Sequence, residues 1–171
     1  MTRERDAALT LIIEDERWRK QKAALRLMRR AAMIALKNRA RGATRRSVTI
    51  LLSDGRRLRQ LNSQFRGRDK ATNVLSFNAR DDSYLGDIAI AFGMVSKEAR
   101  EQHKSFAAHA AHLAIHGVLH LLGHDHKKAA EAQAMEALET LILSRLGLPD
   151  PYVPVPIRRT RKQPKLTHAC R

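Results

Sequence analysis

Between residues 116 and 126 the chain reads His116-Gly117-Val118-Leu119-His120-Leu121-Leu122-Gly123-His124-Asp125-His126, four histidines and an aspartate in eleven positions. Four residues of helix advance the chain by slightly more than one turn. His116 and His120 would therefore stand about 40° apart on one face, where two imidazoles can grip a single metal ion. Gly123 sits where such a helix should stop, because glycine enters the left-handed C-terminal conformation without steric cost. The chain can then turn back and bring His126 to the same ion. His124 is the rival third ligand, but a turn at Gly123 carries it away first. Three neutral imidazoles leave one coordination position open, and zinc in such a cradle lowers the pKa of bound water to about 7. One zinc ion per chain, held by His116, His120 and His126, is the expectation.

The H-x3-H-x5-H spacing, with glycine three residues after the second histidine, resembles the metzincin peptidase pattern H-E-x-x-H-x-x-G-x-x-H. The position after the first histidine is Gly117, so the glutamate that serves those peptidases as general base is missing. Peptide hydrolysis is disfavoured, and the metal cradle remains. His109 and His112 extend the histidine stripe and are expected to line a cleft or to satisfy hydrogen bonds in the core. Asp87 or Asp125 could hold a ligand histidine in one tautomer, or could equally be a turn or cap residue. His103 and His168 read as surface residues.

A second cluster lies at 61–77, where Arg66, Arg68 and Lys70 surround Gly67 and are followed by Thr72, Asn73 and Ser76. Guanidinium groups suit phosphate oxygens, which they bind in pairs of parallel hydrogen bonds. On chemistry alone, a surface loop of solvated charges is the favoured reading of this cluster, with a phosphate site the alternative.

The elements that must position these residues follow from periodicity. Leu9, Leu11 and Ile13 alternate as in a strand, and 47–52 is a β-branched strand closed by Asp54-Gly55. Residues 74–77 and 87–91 are two more short strands. A basic amphipathic helix spans 17–40, a helix covers 56–65, a long helix runs to about 122, and a last one covers about 128–146. The order predicts an α+β domain with a small mixed four-stranded sheet packed with helices. All five prolines lie at or after Pro149, and Arg158-Arg159-Thr160-Arg161-Lys162 follows. Residues 150–171 are therefore expected to be a basic, disordered tail on a domain of residues 1–149.

Composition bounds the function. Of 171 residues 43% are apolar, enough for one packed core, while the net charge of +16 calls for a polyanionic partner. The net charge is +9 over residues 1–46, +3 over 47–100, −1 over 101–149 and +5 over 150–171, so the basic excess flanks the histidines. Cys170 is the only cysteine, which excludes a disulfide framework or a cysteine zinc module. The opening residues Met1-Thr2-Arg3-Glu4-Arg5-Asp6 carry no apolar run, and no stretch is apolar enough to span a bilayer. A cytoplasmic protein without a membrane or small-molecule cofactor is expected. Aromatic residues make up 4%, too few for a base-stacking platform of the RRM kind, so an RNA partner would be held mainly through its phosphates and shape.

Taken together, the 61–77 loop, Leu85-Gly86-Asp87-Ile88 and His116 to His126 resemble the YbeY family, bacterial metal-dependent endoribonucleases and ribosomal RNA maturation factors. The likeness covers about residues 9–145. It implies a zincin-like α+β fold, His116, His120 and His126 as metal ligands, and Arg66 as a functional arginine near the metal. It also implies action on ribosomal RNA, at the 3′ end of the small-subunit RNA and in ribosome quality control, with the small subunit as partner and a monomeric chain. The loop departs from the family pattern at Ala71 and Asn78, where proline is frequent, and at Asn73, a frequent aspartate; His124 replaces a common tyrosine. An RNA-binding assembly factor with a structural metal and no turnover is the competing function.

Overall fold

The structure is a computed structural model and describes residues 2–6, 9–38, 46–80, 83–124 and 128–154. Among these, five strands form one mixed sheet: β1 (Thr2–Asp6), β2 (Leu9–Ile13), β3 (Ser47–Ser53), β4 (Val74–Asn78) and β5 (Tyr84–Ala91). The sheet order is β1-β2-β3-β5-β4, with β2, β3 and β5 parallel and the two outer strands antiparallel to their neighbours. The expected mixed α+β architecture is present. It has one strand more than the four expected, because β1 has too few apolar residues to show a strand pattern and is paired only along the outer edge of β2.

Five α-helices accompany the sheet: α1 (Lys22–Ala35), α2 (Gly55–Arg66), α3 (Phe92–Glu101), α4 (Phe106–Leu121) and α5 (Ala129–Ser144). The basic helix expected at 17–40 is α1, preceded and followed by short 3-10 turns at Glu16–Lys20 and Leu36–Asn38. The long helix expected to run to 122 is instead two helices. His103 adopts φ 54°, Lys104 N–H bonds Ala99 O at 2.8 Å, and Ser105 then caps α4 by accepting from Ala108 N–H at 3.1 Å. A histidine takes the left-handed position where glycine usually marks the break.

Side-chain alternation in the strands divides the molecule into two faces. Leu9, Leu11, Val48, Ile50, Leu52, Ile88 and Ile90 join α1 and α4 in the larger core. Leu75, Ala89 and Ala91 meet Leu58 of α2 on the other face. α4 is the central helix, with Ala110, Ala111, Ala114, Ile115, Val118 and Leu119 at 0% exposure. Among the described residues no helix is long and apolar enough to cross a membrane. The start of the expected tail packs against the body: Pro151 is buried, its carbonyl accepts from Lys104 Nζ, and Thr140 Oγ1 bonds Asp150 Oδ1 at 3.3 Å. Residues 155–171 lie outside the described residues.

Candidate metal centre and nucleic-acid cleft

α4 carries His109, His112, His116 and His120 along one face, at spacings of three, four and four. The helix ends as its sequence requires. Gly123 takes φ 93°, its N–H bonds His120 O at 3.0 Å, and His124 N–H bonds Leu119 O at 3.0 Å, closing the helix with a Schellman pair.

His116 and His120 converge. Their Nε2 atoms are 3.0 Å apart and their rings stand at 83°. Two nitrogens bound to one tetrahedral zinc at about 2.0–2.1 Å would be separated by about 3.3 Å, so the pair fits the expected ion with little adjustment. The tautomer of His116 agrees with this. His116 Nδ1 lies 2.7 Å from Glu139 Oε1, a carboxylate that can only accept, so Nδ1 carries the proton and Nε2 presents its lone pair. Among the described residues no third side chain of metal-ligating type completes the group. His126 and Asp125 lie outside the described residues.

The two upper histidines satisfy buried hydrogen bonds, one of the two roles expected of them. His109 is 4% exposed, and its Nε2 lies 2.7 Å from Glu98 Oε2. Burial depresses its pKa, outweighing the opposite pull of Glu98. His112 Nε2 lies 2.8 Å from Glu139 Oε2. Glu139 is buried, which by itself would raise its pKa. The donors His112, His116 and Tyr152 outweigh that effect and hold the carboxyl at about 2.

A cleft of about 640 Å³ opens over His116 and His120. β4, the edge strand, forms one side through Val74, Ser76 and Asn78. Ser76 Oγ bonds Gly117 O at 3.3 Å and Asn78 Nδ2 bonds Leu121 O at 3.1 Å, locking β4 onto α4. Arg66, the last residue of α2, reaches round this edge. Its Nη2 donates to Ser76 O at 2.9 Å and its guanidinium lies 5.8 Å from the centre of the Phe77 ring. Arg68, Thr72, Asn73 and His124 also line the cleft, and among the described residues no carboxylate does.

The loop between Arg66 and β4 is anchored. Asn62 Nδ2 holds Lys70 O at 2.8 Å, and Arg59 grips Asp69 with two bonds of 2.6 Å. Asn73 Nδ2 reaches Glu98 at 3.0 and 3.1 Å. The structure places Arg66, His116 and His120 around one cleft. Asp87 is not among them. It lies on the α2 face of β5, opposite the face that packs on α4, and there accepts from the Tyr84 hydroxyl, whose pKa is pushed up to about 12 by burial and by Asp87. Glu139 is the carboxylate that meets His116, and the expectation missed it. Its signal is a charged residue on the apolar stripe Met135, Leu138, Ile142.

Comparison with known proteins decides the family. The model of the Endoribonuclease YbeY family matches residues 12–147. The chain belongs to the YbeY family. YbeY relatives described as Endoribonuclease YbeY include one from Bradyrhizobium sp., 44% identical over 152 residues, covering 83% of this chain and 90% of the relative. Another, from Maricaulis maris, is 44% identical over 150 residues, 85% of this chain and 91% of the relative. The solution structure of TM1509 from Thermotoga maritima shares the fold, with a TM-score of 0.50 and 22% identity over 80% of this chain and 91% of that one. The YbeY match ends at 147, so the segment from 149 to 154 that packs on α5 lies beyond it.

Proposed function

We propose that this chain is a zinc-dependent endoribonuclease. It cuts single-stranded ribosomal RNA in maturation of the small-subunit RNA 3′ end and in ribosome quality control, as a cytoplasmic monomer that binds the small subunit. The observation that carries the reading is the convergence of His116 and His120 Nε2 in a cleft shared with Arg66. His116, His120 and His126 would hold the ion. A bound divalent ion supplies Lewis acidity to a phosphoryl oxygen and acidifies water at neutral pH.

The chain's own residues do the rest. Arg66 offers the phosphodiester a guanidinium held from behind by Ser76 O and the Phe77 ring, so its remaining N–H groups face the cleft at little entropic cost. Thr72, Asn73 and Arg68 extend a neutral-to-positive wall suited to a polyanion. The peptidase alternative is opposed sterically as well as chemically, because Gly117 faces β5 rather than the cleft.

Zinc-loaded protein and its His120→Ala variant, each incubated with precursor ribosomal RNA and with unrelated RNA, test the reading through the product ends. Discrete cleavage by the wild type, lost in the variant, is expected. RNA binding without cleavage by either protein would replace it with an assembly factor whose metal is structural.

A further inference from the structure

Glu139 is 0% exposed, and its two oxygens are divided unequally. Oε2 is occupied by His112 Nε2 at 2.8 Å and by the Tyr152 hydroxyl. Oε1 is left to His116 Nδ1 at 2.7 Å. Tyr152 is held in turn. Its N–H donates to Asp150 Oδ1 at 2.9 Å, Thr140 and Lys104 fix the same segment, and its ring meets His112 edge-on at 5.7 Å. The segment after Pro149, composed like a tail, thus forms a strap across α5 that ends on the carboxylate beside the ligand pair.

We infer that Glu139 and Tyr152 are positioning residues for the metal centre: Tyr152 and His112 saturate one oxygen of Glu139, and the other fixes His116 with its proton on Nδ1 and its Nε2 lone pair turned toward His120. This inference rests on the metal-centre reading above. A neutral imidazole has one proton, and an acceptor-only partner on Nδ1 dictates where it sits. With a glutamine at 139 the amide N–H can donate to Nδ1 instead, which moves the ring proton to Nε2 and opposes metal binding. With phenylalanine at 152 the packing of the ring is kept. Oε2 then loses a donor and is free to compete for the His116 proton, loosening the ring.

The test uses the full chain and zinc alone. Zinc affinity is measured by competition with a chromophoric chelator for the wild type, Glu139→Gln and Tyr152→Phe, with a thermal melt of each. The His116 tautomer is read by nitrogen-15 histidine NMR on metal-free protein. Glu139→Gln is expected to weaken zinc binding about 10–100-fold and to shift the His116 proton toward Nε2. Tyr152→Phe is expected to weaken it by about 3–10-fold. Folded variants that melt lower but keep wild-type zinc affinity and tautomer would make both residues merely structural and overturn the inference. If Glu139→Gln fails to fold, Tyr152→Phe decides alone, and unchanged affinity there overturns the strap's role. A wild type that takes up no zinc removes the metal-centre reading and this inference with it. A zinc-binding wild type with indifferent variants removes only the inference.

Discussion

Gly117 occupies the position that a metzincin peptidase gives its catalytic glutamate, and the reason for glycine here is contact. A Cβ at 117 would lie 2.8 Å from Ile88 Cγ2 and 3.0 Å from Ile88 Cδ1, so α4 rides directly on β5 and nothing larger than hydrogen fits without a shift. Gly117→Ala should cost about 1–3 kcal/mol of stability, lowering the melting temperature by roughly 3–10 °C. An unchanged melt would mean that Ile88 yields freely and that the glycine is not required by packing. Arg66 is the opposite case. It is exposed, ends its helix, and makes one backbone bond to the sheet edge. Arg66→Glu should leave the melting temperature within about 2 °C, since surface changes stay near ±0.5 kcal/mol, yet reduce RNA cleavage by about 100-fold or more. A large fall in melting temperature would assign Arg66 to folding instead. On chemistry alone residues 61–77 read as solvated surface charges, and only the family resemblance singled Arg66 out. Position explains this, because the edge strand that brings it to His116 is remote in sequence from α4.

At the scale of elements, the sequence was legible wherever one residue type sets one conformation. The alternation of Leu9, Leu11 and Ile13, the close of β3 before Asp54-Gly55 and the Gly123 stop of α4 all appear where the pattern puts them. The break between α3 and α4 was not legible as a stop because His103 does the work of glycine, although Ser105 before an apolar run is an N-cap signal. Carboxylates that hold histidines were less legible still. Glu98 and Glu139 look like ordinary helix surface charges, and their partners arrive from other elements. The Glu98 clamp joins three of them, receiving Asn73 from the cleft loop and His109 from α4. That contact gives a physical account of asparagine at a frequent aspartate position. Asn73→Asp would set two carboxylates within hydrogen-bond distance, which forces one to protonate or the loop to part. It should lower stability at pH 7 by about 1–3 kcal/mol. Adding Glu98→Gln should restore most of the loss, because glutamine can donate to Asp at 73 while still accepting from His109. Additive losses in that double-mutant cycle would show that the two side chains are not directly coupled.

Across the whole molecule, charge and chemistry are separated. The segment holding the histidines carries a net −1, while residues 1–46 carry +9. Lys22, Arg26 and Arg30 of α1 are exposed, as are Lys20 before the helix and Lys37 after it, and none of them lines the cleft. The opposite side of α1 is fixed in the core by Ala24, Met28, Ala31, Ala32 and Ala35, so the basic side has no alternative but solvent or a polyanion. Lysine and arginine contacts to phosphate release condensed counterions, with a log–log salt slope of about −0.7 per contact for single strands. RNA binding by this chain should therefore fall steeply with salt and show little sequence preference, since phosphates carry no sequence information. Reversing Lys22, Arg26 and Arg30 to glutamate should weaken RNA binding and flatten the slope by about 2, three contacts' worth. Cleavage at saturating RNA should persist in that variant. His120→Ala should do the converse, keeping affinity and slope while eliminating cleavage. Filter binding across a salt series, run beside a cleavage assay on the same two variants, separates the functions. If His120→Ala lost RNA binding as completely as the charge-reversed helix, the metal would be organising the RNA surface rather than acting on the bound strand, and a structural ion in an assembly factor would become the better account of the site.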